Sequence, residues 1–126
     1  MIYGTGLDIV EHSSVEKLVK KGTFQAFKRK WFSEHELYLI ETASNQMKQF
    51  SILFSIKEAF IKASNGEAKL KDTRKINILK RHGNYLIVGF YEEFLKDKKY
   101  RIVVSQNNVF TISSMCIFQR EGSLYE

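Results

Sequence analysis

The 126-residue chain contains no proline and a single cysteine, Cys116. One thiol excludes a disulfide framework and any cysteine-rich zinc site. No apolar run approaches the roughly 18 residues that a transmembrane helix requires. Residues 1–10, MIYGTGLDIV, lack the charged start and small-residue cleavage site of a signal peptide. These absences predict a cytoplasmic protein. Repeats, linkers and low-complexity segments are also missing. What is present is a globular composition, 44% hydrophobic and 27% charged, which excludes wholesale disorder and collagen-like repeats. The length fits one domain over residues 1–126, large enough to bury roughly two-thirds of its unfolded surface without staples. Twenty Lys and Arg against 14 Asp and Glu give a formal charge of +6. That balance points to an acidic partner without choosing among nucleic acid, a membrane surface and an acidic protein.

Residues 2–10 read as a short apolar strand with small residues at Gly4, Thr5 and Gly6. Ser13 and Ser14 offer N-caps for a helix that runs to Lys21 and stops at Gly22. Residues 23–31 form a short basic helix with Phe24, Phe27 and Trp31 inward. Ser33 and Glu36 make a capping box that opens a helix over 34–42. The segment from Gln46 to Ala63 is apolar almost all round, which predicts a long buried helix ended by Ser64-Asn65-Gly66. The second half alternates instead. Residues 75–80 and 84–90 read as a hairpin around His82-Gly83-Asn84. Residues 91–98 suggest one or two helical turns, and strands follow over 100–105 and 109–118. The expected class is α+β, an antiparallel sheet packed on a long buried central helix.

Within that helix Glu58 and Lys62 stand four apart and share a face. Two readings fit this spacing. One is an intrahelical ion pair on a wet edge. The other is a metal-binding carboxylate beside a phosphate-binding ammonium, a donor set suited to Mg²⁺. Asp8 lies among Leu7, Ile9 and Val10, so it needs either a partner or a solvated strand end. Gly4-Thr5-Gly6 does not complete a dinucleotide fingerprint. His12, His35 and His82 stand apart in polar contexts and read as surface histidines. Cys116, in an apolar strand, reads as an inert core residue.

Gly6-Leu7-Asp8-Ile9-Val10-Glu11 resembles the opening GxDIVE motif of the holo-acyl-carrier-protein synthases. Lys57-Glu58-Ala59-Phe60-Ile61-Lys62-Ala63 matches that family's KEAFxKA motif, and Phe32-Ser33-Glu34-His35-Glu36-Leu37 resembles its FTxxEL stretch. The resemblance covers essentially the whole chain. It implies the 4′-phosphopantetheinyl transferase-like fold and transfer of 4′-phosphopantetheine from coenzyme A to a serine of an apo acyl carrier protein, in support of fatty acid biosynthesis. It further implies that Asp8 and Glu58 bind Mg²⁺, that Lys62 neutralises phosphate charge and that Glu58 is the candidate base. Lys48, Phe54, Lys62, Asn65, Gly66, Ser105 and Gln106 would line the coenzyme A site. The partner would be the acidic carrier, docked on Lys17, Lys20, Lys21, Lys28 and Arg29, whose alternative is an ordinary solvated face. The family assembles as a homotrimer with sites between subunits, and neither a membrane nor a nucleic acid is implied.

The chain departs from the family at three places. His12-Ser13-Ser14 stands where an arginine follows DIVE, Leu53 replaces the arginine before KEA, and Ser105-Gln106 replaces a Ser-His pair. Lys48 would supply a lost phosphate contact. The competing readings are a non-catalytic carrier-binding homologue and a small basic nucleic-acid-binding module.

Overall fold

A computed structural model describes residues 1–120 of the domain expected over 1–126. The elements are β1 (Ile2–Glu11), α1 (His12–Lys20), α2 (Phe24–Trp31), α3 (Glu34–Thr42), α4 (Gln46–Ala63), β2 (Asn77–Arg81), β3 (Asn84–Val88), α5 (Glu92–Leu95), β4 (Lys98–Gln106) and β5 (Phe110–Gln119). Helix α4 starts where the Asn45 side chain accepts a hydrogen bond from the Lys48 N–H at 3.1 Å. It ends where Asn65 and Gly66 turn left-handed, at φ 53° and 90°. Phe50, Leu53, Ile56 and Phe60 are buried along it. Each contributes roughly 1.5–3 kcal/mol by leaving water, so this helix anchors the core. Among the described residues no helix is long and apolar enough to cross a membrane.

The main sheet is antiparallel in the order β1-β5-β4, and α4 crosses one face of it. Side chains alternate, so Gly4, Gly6, Asp8 and Val10 of β1 face α4 with Thr111, Ser113, Met115 and Ile117 of β5. The two glycines have a specific cause. A Cβ at Gly4 would sit 2.0 Å from the Ala63 carbonyl oxygen, and one at Gly6 would sit 2.0 Å from that of Ala59. Strand backbone therefore lies directly against helix backbone. The β2–β3 hairpin turns through His82 and Gly83, both at positive φ, and forms its own two-stranded sheet. It is tied to β4 by a side chain, the Ile87 N–H donating to the Tyr100 hydroxyl at 2.9 Å.

Four expectations are corrected. Helix α1 begins at His12, with Glu11 at the cap position and no side-chain cap, so Ser13 and Ser14 do not cap it. His12 is buried rather than at the surface, because its backbone N–H closes on the Val109 carbonyl at 2.8 Å and draws the ring under the β4–β5 turn. Lys28 is also buried, its ammonium 4.7 Å from the centre of the Phe24 ring, which removes it from a docking surface. Cys116 faces away from α4 on the outer side of the sheet, since the inward positions of β5 are odd-numbered.

Lys57 is buried too, and it is fully partnered. Its ammonium donates to Glu36 at 2.7 Å, to the Thr73 carbonyl at 2.7 Å and to the Trp31 carbonyl at 2.9 Å. Burial pulls its pKa down, and the Glu36 charge and hydrogen bond oppose that fall. Glu36 completes the capping box with the Ser33 N–H and takes the Ile78 N–H at 2.8 Å. One carboxylate thus ties α3, α4 and β2 together. Removing either charge would cost roughly 3–5 kcal/mol by stranding the other.

Candidate active site

Strand β1 and helix α4 run in opposite directions, Gly4 meeting Ala63 and Gly6 meeting Ala59. The next inward residue of β1, Asp8, consequently falls beside the turn of α4 that carries Glu58 and Lys62. Lys62 does not close the intrahelical pair that its spacing allows. Its Nζ crosses to the strand instead, donating to the Leu7 carbonyl at 2.8 Å and to Asp8 Oδ1 at 3.3 Å. The Asp8 side chain is 16% exposed and that of Lys62 50%, so the cation is anchored at its root while its head stays accessible.

Both carboxyls are held above their ordinary pKa range. Burial raises Asp8, and the Lys62 hydrogen bond and charge oppose the rise. Burial also raises Glu58, the negative charge of Asp8 adds to it, and Lys62 opposes. Two partly buried carboxylates that repel each other, with one shared ammonium, leave the site short of positive charge. Among the described residues no third His, Cys, Asp or Glu joins them in a metal-binding group. That donor set fits Mg²⁺, which keeps several waters and takes one or two carboxylates together with substrate phosphate oxygens.

Residues 4–113 match the family model of the 4′-phosphopantetheinyl transferase superfamily. The chain belongs to that superfamily. The holo-acyl-carrier-protein synthase of Fusobacterium nucleatum is 31% identical over 110 residues, covering 83% of this chain and 88% of the relative. That of Geobacter sulfurreducens is 36% identical over 63 residues, 50% of this chain, and there the chain spans about half the relative's length, 49%. Among solved structures, the holo-acyl-carrier-protein synthase of Neisseria meningitidis superposes with a TM-score of 0.81 at 24% identity, covering 94% of this chain and all, 100%, of that one. The Helicobacter pylori synthase, solved in complex with coenzyme A, gives 0.70 at 21% identity over 90% of this chain and 98% of its own. At these identities the likeness to solved structures is one of fold.

Within this superfamily member the remaining expected site residues fall at separate places. Gln106 and Lys48 share a corner, the Gln106 Nε2 donating to the Lys48 carbonyl at 3.4 Å. That corner is ten residues, or about 15 Å of helix, from Glu58. Asn65 and Gly66 lie at the opposite end of α4, where the Asn65 amide donates to the Tyr3 carbonyl at 2.6 Å. Phe54 stacks on Trp31 with ring centres 4.6 Å apart and walls a hollow of about 440 Å³ with Val10, Leu18, Phe27, Lys17 and Lys21. Ser105 is exposed on the outer side of β4, while Leu53 is fully buried in the core. Lys17, Lys20, Lys21 and Arg29 are exposed on α1, its end and α2.

Two features were not recognised from the sequence. Alternating glycines in a strand signal close backbone approach, and Gly4-x-Gly6 carried that signal. The bonds of His12 to Thr111 and to the β4–β5 turn had none, because they join residues about a hundred positions apart.

Proposed function

We propose that this chain transfers the 4′-phosphopantetheine group of coenzyme A to a serine hydroxyl of an apo acyl carrier protein. The observation that carries the reading is the Asp8–Glu58–Lys62 group: Lys62 pairs with Asp8 at 3.3 Å, and the charges of both act on Glu58. Asp8 and Glu58 would hold Mg²⁺ together with the pyrophosphate oxygens of the donor. The bound ion supplies Lewis-acid stabilisation of charge on the pyrophosphate. Lys62, fixed by the Leu7 carbonyl, presents its ammonium to the same developing charge. Glu58, whose carboxyl burial and the Asp8 charge hold above its ordinary value, is the group to take the serine proton. The serine oxygen forms the new bond to the phosphorus that bears pantetheine. The bond from that phosphorus to the bridging pyrophosphate oxygen breaks, and the oxygen leaves on adenosine 3′,5′-bisphosphate.

The acidic carrier is drawn to Lys17, Lys20, Lys21 and Arg29, and the apolar hollow behind Lys17 and Lys21 lies one helical turn from Glu58 through Phe54. The outer side of the sheet supports a homotrimer. Leu7, Ile9 and Val103 are each more than half exposed there, at 53%, 55% and 52%, with Ile112 and Phe118 beside them. A contiguous apolar sheet face of this kind suits burial against further copies.

The test is direct. The purified chain is incubated with an apo carrier, coenzyme A and Mg²⁺, and the intact carrier is weighed. A mass gain of one phosphopantetheine is expected. No gain with several folded apo carriers would overturn the reading and favour a non-catalytic carrier-binding homologue.

A further inference from the structure

The hollow of about 440 Å³ between α1, α2 and α4 has a lining of two kinds. Val10, Val15 and Phe50 are buried and form its floor, with the half-buried rings of Phe27 and Phe54 as walls. None of these side chains offers a hydrogen bond, so water inside has little to hold it. The mouth is cationic. Lys17 and Lys21 stand four apart on one side of α1, both exposed and neither in an ion pair among the described residues. No acidic side chain lines the hollow. An apolar floor beneath two ammonium groups is complementary to a chain that ends in an anion. The volume falls in the range of small-molecule sites, roughly 300–1,000 Å³. It is several times that of a leucine or methionine side chain. A single residue of a docked protein would leave most of it empty and its lining without partner atoms.

We propose that the hollow is a binding site for a single-chain aliphatic carboxylate, its tail on Val10, Val15 and Phe50 and its head between Lys17 and Lys21, and that the bound ligand excludes an acidic carrier from the same two cations. The exclusion rests on the carrier reading given above; the binding does not. Two ammonium groups suit a carboxylate, which accepts from both at once, and repel a cationic head. Burial of the tail supplies affinity in proportion to its length until the hollow is filled. The fold also carries its own reporter. Trp31 is the chain's one tryptophan, and its ring stacks on Phe54 at 4.6 Å and on Phe27 at 5.3 Å between centres, the two walls that the tail would touch.

The experiment titrates the chain with hexanoate, octanoate, decanoate, decanol and decyltrimethylammonium, all below micelle concentrations, and follows Trp31 emission and calorimetric heat in parallel. Affinity should rise about fourfold per methylene along the carboxylates, with a blue shift of Trp31. Decanoate should bind about tenfold more tightly than decanol, and the cationic amphiphile should not bind. Lys17→Gln/Lys21→Gln should bring decanoate within about twofold of decanol. Val15→Phe, which fills the floor, should abolish binding; if it fails to fold, the lysine pair decides alone. Absence of binding, equal affinity for the three head groups, or unchanged decanoate affinity in the lysine variant would overturn the proposal. Trp31 emission that moves with the protein's own concentration, or with anionic phospholipid vesicles, and not with decanoate would give the hollow to a second copy or to a membrane and overturn it too. In the carrier mass assay decanoate should raise KM for the carrier and leave kcat unchanged. Inhibition that added carrier fails to relieve would overturn the exclusion. Were no carrier modified at all, the transferase reading would fail, while the titrations would still decide the site.

Discussion

Adding one methyl group at Gly6 should damage both stability and the active site. The Cβ of Gly6→Ala would lie 2.0 Å from the Ala59 carbonyl oxygen, where real contacts essentially never fall below 3.0 Å. Both atoms belong to, or are bonded to, backbone, so no side chain can rotate away. Strand and helix must separate by roughly 1 Å, and overpacking of this kind costs typically 1–3 kcal/mol. The displacement falls between Gly6 and Ala59, one inward position from Asp8 and one residue from Glu58. A misplacement of about 1 Å at a reacting centre can cost on the order of 100-fold in rate. Urea unfolding and the carrier mass assay read the two effects on one preparation. Gly22→Ala is the control. It sits at φ 73° with nothing within 4 Å, so it should lose about 1 kcal/mol to backbone strain and keep its activity. Near-wild-type stability and turnover in Gly6→Ala would refute the claim that backbone contact sets the site.

Three further outcomes follow from the charges and the exposed sheet. Glu58 titrates above its ordinary 4.5, so between that value and its raised one the folded protein holds more protons than the unfolded chain. Its contribution to stability therefore falls as pH rises through that window and stays lost at neutral pH. Glu58→Gln should melt higher than wild type at pH 7 without metal, lose that advantage below pH 4.5, and gain nothing from added Mg²⁺; a lower melting temperature at pH 7 would contradict the assignment. Reversing Lys20 and Lys21 to Glu should raise KM for the carrier while leaving coenzyme A binding unchanged, whereas Lys28→Met should leave carrier affinity alone because Lys28 is buried; equal losses for both substrates would count against the docking face. Wild type is expected to sediment as a trimer and Ile9→Glu as a monomer; a monomeric wild type, or a trimer that persists in Ile9→Glu, would contradict the role of the sheet face.

Much of this architecture is written locally. The capping box at Ser33 and Glu36, the apolar span of α4 and the left-handed pair after it are short-range signals, and each appears where the residues place it. Asp8, Glu58 and Lys62 were legible because two motifs carry them, although spacing alone left the Lys62 partner open between Glu58 and a ligand. The structure supplies a third answer, Asp8 and the Leu7 carbonyl, since only tertiary contact brings β1 across α4. Long-range contact also explains the errors. Lys28 has the charge of a surface residue yet folds over Phe24, and His12 looks solvated until the β4–β5 turn covers it. Cys116 shows the limit of reading an apolar strand without its parity. A shift of one residue moves a side chain from the core to the open face.

The central claim is that Asp8 and Glu58 together hold the ion that serves the pyrophosphate. The measurement that tests it most directly is the Mg²⁺ dependence of carrier modification in wild type, Asp8→Asn and Glu58→Gln, with folding verified by circular dichroism. Wild type should turn over only with Mg²⁺ present, and each variant should fall by at least about 100-fold at saturating donor. Transfer that persists in a chelator, or full activity in either variant, would contradict the account.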